Sequence, residues 1–498
     1  MKKKIINYSI LFFFSFIFLF FIQLIIFGSN LDFYWNYNNS LQISNGLIPY
    51  NEINILTTPL FHYIIAFFLT VIGKNIYVYI GAMTILKLIH YYILSRIVLL
   101  YCKKKKIEER KEYFLFTFFL GFIITFRIYY EYNFFALMLL SLITYIELKE
   151  LNKNKQNILI GILAGFAFLS KQSIGILIIA FILIKPLLFI NDKKSILYRF
   201  LGILIPISIF IIYLLLTNSF DEFINYSILG ISTFKNSVSY IDATIAVLNI
   251  SVIKGILALV LILAFVIFII CQLYQLFTKK YDKDKKLLLF YTVISFSCFY
   301  PLRDIHHLLP LILSFIPLFI ISNINNIDKF VKRINYKGFR ILLIVFFILS
   351  SIMPLNMYIN IYNGNNDDYN ILKNNYHSIN GMVVDRILES NINDVIKYEK
   401  DMNDEGINTI ILNKNAVLFH LAQDKYYKDY DLFMKGNLGY NGEERLIDEI
   451  KESSNTVYLI NLDDQNNNMI QLPDKVYNYV INNYNKTDQI LYYSVYSK

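Results

Sequence analysis

Asp32, just beyond the first long apolar stretch, is the residue whose type and place best suit acid–base chemistry. It stands in SNLDFYWNY beside Phe33, Tyr34 and the only tryptophan, Trp35. A carboxylate there can take a proton from an attacking hydroxyl, and aromatic rings at a membrane boundary anchor in the interface or stack on a sugar ring. A solvated surface charge is the competing reading. Glu52, the other acid of this hydrophilic stretch, reads equally as an assisting acid or as a plain surface charge. His62 follows as an interfacial polar residue or one that lines a substrate.

Cations able to hold an anion come next. Lys171 and Gln172 stand in FLSKQSIG, Arg303 and His307 in YPLRDIHHLLP, and Arg127 beside Tyr129, Tyr130 and Glu131. Each has a structural alternative: an outer-surface lysine with an anionic partner, an Arg303/Asp304 helix cap, and an Arg127/Glu131 pair. Lys87 and His90, three apart within one helix, are expected to line a bundle interior. The adjacent His306 and His307 point about 100° apart on a helix and no HExxH accompanies them, so no metal site is expected. In the tail, MKGNLGYNGEERLIDEI places glycines before a helix; a turn feeding a capped helix is favoured over an anion site.

These residues need elements to hold them. Of 498 residues, 56% are hydrophobic and 17% aromatic, more apolar material than soluble cores of this length bury. The formal net charge of +10 is gathered in short clusters between apolar segments, which points to membrane topology rather than nucleic-acid binding. The three cysteines, Cys102, Cys271 and Cys298, have no CxxC spacing, so neither a disulfide framework nor a zinc site is expected.

MKKK precedes an apolar run at 10–27, read as a retained first helix and not a cleaved signal, because no small-residue cleavage site follows. Further spans are expected at 76–101, 113–126, 133–148, 158–170, 174–190, 200–216, 246–277, 287–301, 308–321 and 341–359, about eleven in all. With the N-terminus inside, every Lys/Arg cluster then falls on the cytoplasmic side: KKKKIEERKE, KELNKNK, NDKKSILYR, TKKYDKDKK and DKFVKRINYKGFR. This requires that 57–73 lie at the outer surface as an interfacial or re-entrant helix, since it is short of the roughly 20 residues of a crossing. The expected fold is therefore an α-helical polytopic membrane protein, residues 1–361, with a first outer loop at 28–75. An extracytoplasmic α/β domain follows at 362–498, with helices near 393–404, 443–452 and 473–484 and strands at INTIIL, TVYLINL and QILYYSVY.

The outer loop resembles the C-type glycosyltransferases, particularly the protein O-mannosyltransferase and aminoarabinose transferase group. The resemblance rests on Asp32 after the first helix, on GLIPYNE with Gly46, Pro49, Tyr50 and Glu52, and on TTPLFHY with Thr58, Pro59 and Leu60. The group often has two adjacent acids where this chain has Asp32 and Phe33, and a proline where it has Thr58. It implies an inverting transfer of a sugar from a polyprenyl-phosphate donor to an outside glycan, lipid or protein acceptor in the cell membrane. Asp32 would be the general base, Lys171, Arg303 and Arg127 would hold the donor phosphate, and Trp35, Tyr50, His62, Gln172 and His307 would line the substrate. No cofactor and no nucleic-acid partner are implied, and without a nucleotide-binding motif direct use of a nucleotide sugar is not expected. The alternatives are a transporter or flippase for a lipid-linked sugar, and a glycan polymerase or ligase; no internal repeat supports the first, and the early position of the informative loop speaks against the second.

Overall fold

Helix Lys2–Ile26 carries the first apolar run and stops at a close backbone approach. In the computed structural model, a side chain on Gly28 would clash with the carbonyl oxygen of Val383, so only glycine lets the two chain segments touch here. The structure describes residues 2–108, 110–149, 152–189, 192–234, 266–275, 278, 282–299, 305–461 and 472–498. Gly28→Ala is expected to cost about 1–3 kcal/mol through the forced backbone shift. A lowered unfolding midpoint with faster proteolysis of the tail would register it; an unchanged midpoint would show that the contact is dispensable.

The described chain is mostly helical. Five helices contain stretches long and apolar enough to cross a membrane: Ser9–Ile26, Ile76–Lys104, Tyr132–Lys149, Lys193–Leu216 and Tyr336–Tyr362. A sixth span would need Leu311–Ser322 and Ile324–Ile334 together, which meet at a 78° bend. The count of about eleven is thus not reached among the described residues. Helix Lys111–Thr125 has 15 residues and Lys283–Ile294 only 12, the latter passing into a 3-10 turn at Ser295–Phe299. Helix Gln172–Phe189 qualifies only as a shorter apolar helix, and of the run at 246–277 most lies outside the described residues. Helix Leu60–Ile72, at 13 residues, is also too short to cross. It buries Phe61, His62, Ile65 and Leu69 yet exposes Phe67, Val71 and Ile72, the last two by about two thirds. Apolar on both faces, it suits a surface helix with one side in lipid.

By contact density the chain divides into two compact units: 1–16 with 85–210 and 238–350, and 17–84 with 211–237 and 351–498. Within the first, the basic connections are tied to one another by ion pairs. Lys104 and Lys105 meet Asp284 at 2.9 and 3.0 Å, Arg110 meets Asp328 at 3.1 Å, and Arg340 meets Glu112 at 3.0 Å. Arg199 lies 3.0 Å from Glu147, which also pairs with Lys185. Like-charged loops tolerate this crowding because each cluster carries its own acids. Lys87 is buried and donates to the carbonyls of Thr125 and Ile128, capping the C-terminal end of helix Lys111–Thr125. His90, also buried, is 3.2 Å from the Ser141 hydroxyl.

The second unit joins the segment at 28–75 to the tail. A small antiparallel pair, β1 (Tyr369–Ile371) and β2 (Val383–Asp385), precedes helix Arg386–Asp404. The main sheet runs β3-β4-β6-β5, with β3 (Asn408–Leu412) parallel to β4 (Thr456–Ile460) and the hairpin β5 (Asn485–Ile490), β6 (Tyr493–Ser497) antiparallel. Helices Gly442–Glu452 and Asp474–Asn483 pack their apolar sides, Leu446, Ile450, Val476 and Val480, with Tyr458, Phe433 and Tyr477 into one core. The single final strand expected at QILYYSVY is instead the end of β5, a turn and most of β6, with Leu491 in the left-handed region at φ 53°. Its partner β5, NKTDQI, is an exposed edge strand with no apolar alternation to betray it.

Candidate functional site

Asp32 lies in the first turn of helix Leu31–Ser44, not in a loop. Asn30 caps that helix, its side-chain oxygen accepting from the Phe33 amide at 2.8 Å. Gly46, at φ 97°, ends it with the Leu47 amide donating back to the Gln42 carbonyl at 3.1 Å. From Phe33 to Ile43 every residue is buried, while Asp32 is exposed. The helix is therefore clamped on all sides except at the turn that carries the acid. A first-turn carboxylate also suits the positive end of the helix dipole, which is the structural reason for an acid in this position.

The aromatic neighbours do not form an outward stacking surface. Phe33, Tyr34 and Trp35 are all buried, because the helix turns them into the second unit. Trp35 lies edge-on to His62, with ring centroids 6.5 Å apart, and His62 Nδ1 is 3.2 Å from the Ser40 hydroxyl. GLIPYNE forms a closed turn. Tyr50 takes the left-handed backbone at φ 71°, its amide donates to Ile53 O at 2.7 Å, and its buried hydroxyl donates to Thr57 O at 2.9 Å. Such a conformation in a bulky residue is held only by surrounding packing, here the edge of Phe223, 5.2 Å between centroids. Glu52 is exposed and accepts from the Ile48 amide at 2.7 Å, so its carboxylate locks the turn.

Against this loop lies a cluster that sequence reasoning missed. The tail segment YKDYDLF supplies Asp429 and Asp431, both buried. Asp431 accepts from Asn54 at 3.1 Å, Asn437 at 3.3 Å and Asn38 at 3.4 Å. Burial pushes its carboxyl up to about 6, against those hydrogen bonds. Asp429 pairs with Arg445 at 2.6 Å and accepts from Tyr226 at 2.5 Å; burial still lifts it above the usual carboxylate range. Tyr226 belongs to a π-helical turn, Ile224–Leu229, against which Gly439 lies close, with the Tyr440 amide donating to Asn225 Oδ1 at 2.9 Å. Lys428 donates to the carbonyls of Tyr50 and Asn51 at 3.1 and 2.8 Å. Two acids set among Tyr and Phe were the available signal, since acids in an aromatic run must be either exposed or specifically satisfied.

By contact density the candidate cations fall in the first unit and Asp32 in the second. Lys171 is buried at the end of helix Lys153–Ser170, only 4% exposed, bonded to Asn133 and 5.3 Å from the centre of the Tyr132 ring. Asn133 in turn donates to the buried Glu131, so the acid expected beside Arg127 is engaged by an amide. Arg127 itself is exposed, its guanidinium 5.8 Å from the Phe126 ring centre. Gln172 is buried beside Lys171. Arg303 lies outside the described residues, and His307 falls in helix Ile305–Ser322 with its side chain undescribed. Among the described residues, no group of three or more His, Cys, Asp or Glu side chains is placed to hold a metal ion.

No family model, curated protein or solved structure matches this chain.

Proposed function

We propose that this chain is an integral membrane glycosyltransferase that moves a sugar from a polyprenyl-phosphate donor to an extracytoplasmic acceptor, with Asp32 as general base. The observation that carries the reading is the exposure of Asp32 on a helix otherwise buried, directly after the first apolar helix. A lipid-linked donor keeps its tail in the bilayer and its sugar phosphate at the edge, where such an acid is within reach. Asp32 takes the proton of the acceptor hydroxyl as its oxygen attacks the anomeric carbon from the face opposite the lipid phosphate. The bond from the anomeric carbon to the phosphate oxygen breaks, that oxygen keeps the electron pair, and the configuration inverts. Fixed cations stabilise the departing phosphate. Lys171, Arg303 and Arg127 are the cations that the resemblance implies for that role. Glu52 acts at a distance, by holding the turn that follows the Asp32 helix.

About eleven spans with the N-terminus inside complete the reading. The ion pairs among the basic connections support a shared cytoplasmic side, and the contacts of Lys428 and Asp431 with the first loop support a shared outer side for loop and tail. A labelling experiment tests this topology. In a Cys271→Ser background, Lys74→Cys and Ser454→Cys, both at exposed positions, are expected to react with a membrane-impermeant maleimide on intact cells, whereas Lys337→Cys is expected to react only after lysis. Protection of either of the first two would break the assignment. Function is tested by transfer of labelled sugar from polyprenyl-phosphate donors by the purified protein; absence of transfer across a donor panel would remove the proposal.

A further inference from the structure

The first unit holds a cavity of about 570 Å³ among its basic connections. Six cationic side chains line it against three acids, so its charge balance favours an anion. Each acid is already engaged. Glu147 pairs with Lys185 and Arg199, Asp284 with Lys104 and Lys105, and Asp192 accepts from the Ser195 hydroxyl at 2.7 Å. Lys153, Lys283 and Lys286 line the same cavity and form no ion pair among the described residues. Holding three lysines round one hollow costs repulsion that a bound anion relieves.

The rest of the wall sets the kind of anion. Asn157 is buried and fixed by donating to Ser195 at 2.9 Å and accepting from Arg199 at 2.8 Å, which keeps the buried guanidinium oriented. Phe181 and Phe290, with ring centroids 5.6 Å apart, and Leu287 form an apolar side. A lone inorganic ion would leave that side wet and most of the volume empty. We infer that this cavity is a binding site for a polyanionic phosphate group attached to an apolar or aromatic moiety, an inference independent of the transferase proposal. Phosphate oxygens take Lys153, Lys283 and Lys286 as point-charge partners, while the attached moiety covers Phe181 and Leu287.

The full-length protein tests this with two probes. One is inorganic pyrophosphate, titrated against protein in neutral detergent. The other is phosphatidic acid, compared with phosphatidylcholine in nanodiscs by native mass spectrometry of the released protein. The expected result is saturable binding of one or both, weakened at least about tenfold by Lys153→Glu, Lys283→Glu and Lys286→Glu together. The equally charged change Lys329→Glu, Arg333→Glu and Lys337→Glu, outside the cavity, is expected to change binding less than about twofold. Arginine at the three cavity positions is expected to retain binding, which separates lost charge from lost folding. Pyrophosphate binding alone identifies a soluble phosphate compound, and phosphatidic acid binding alone identifies a lipid headgroup. Binding of neither probe, or equal weakening by both sets of charge reversals, overturns the inference.

Discussion

Asp32→Asn is expected to lower sugar transfer by about 10²–10⁴-fold, the span that general-base catalysis supplies, while leaving the fold in place. Amide and carboxylate are nearly isosteric, and the position is exposed at the start of a helix whose buried face begins one residue later. The stability change is limited to the loss of a first-turn acid, about 0.3–1 kcal/mol. The two readouts therefore separate. A base lost from the reacting site shows in turnover with little change in donor affinity, whereas a lost helix-dipole charge shows only in the unfolding midpoint. Wild-type turnover in the asparagine variant would remove Asp32 as base, and it would leave the dipole as the sufficient reason for an acid there.

Asp431→Asn is expected to stabilise the protein at neutral pH, opposite to the usual effect of removing a hydrogen-bonded carboxylate. The folded carboxyl titrates at about 6, above the ordinary aspartate value of 3.8, because burial opposes its charge. Where the folded state binds the extra proton, stability falls as pH rises. The loss thus accumulates from about pH 4 to pH 6 and is complete above the folded value, reaching about 3 kcal/mol at 1.36 kcal/mol per pH step. Asparagine removes that cost and keeps most of the bonding. Both stronger side-chain contacts, from Asn54 and Asn437, fall on one oxygen, Oδ1, which the amide retains; the 3.4 Å contact from Asn38 to Oδ2 is lost. Urea unfolding across pH 4–7.5 is expected to show the wild type losing stability through this window and the variant flat by comparison. A variant less stable than wild type at pH 7.5 would mean that the charged form is better satisfied than burial implies.

The difference between these two acids is instructive about what residues disclose by themselves. Asp32 is legible because it interrupts an apolar stretch at a membrane-length distance from the N-terminus, a one-dimensional signal. Asp431 sits in YKDYDLF, whose local pattern gives no hint that Asn38 and Asn54, nearly four hundred positions earlier, reach it. Glu52 shows the intermediate case. Its place in GLIPYNE marks it out, but its bond to the Ile48 amide is a turn contact that reads the same in sequence as a chemical role. The aromatic run of Phe33, Tyr34 and Trp35 suits a membrane belt or a sugar-stacking surface as well as a core, because aromatic residues serve interfaces and cores alike, and only packing decides between them.

Composition and charge order by themselves determined that this is a mostly helical chain with apolar helices suited to a membrane, a short apolar stretch at 57–73 and a small α/β tail. Those properties follow from hydrophobic length and period, which are local. Tertiary structure alone decided that the tail packs on the first loop through Lys428, Asp431 and the Gly28–Val383 approach, and that Lys171 is buried against Asn133. It also decided that the basic connections close round a cavity. Each of these depends on which side chains satisfy one another across long sequence separations. Burial and pairing energies are set by that choice of partner, and no spacing along the chain encodes it.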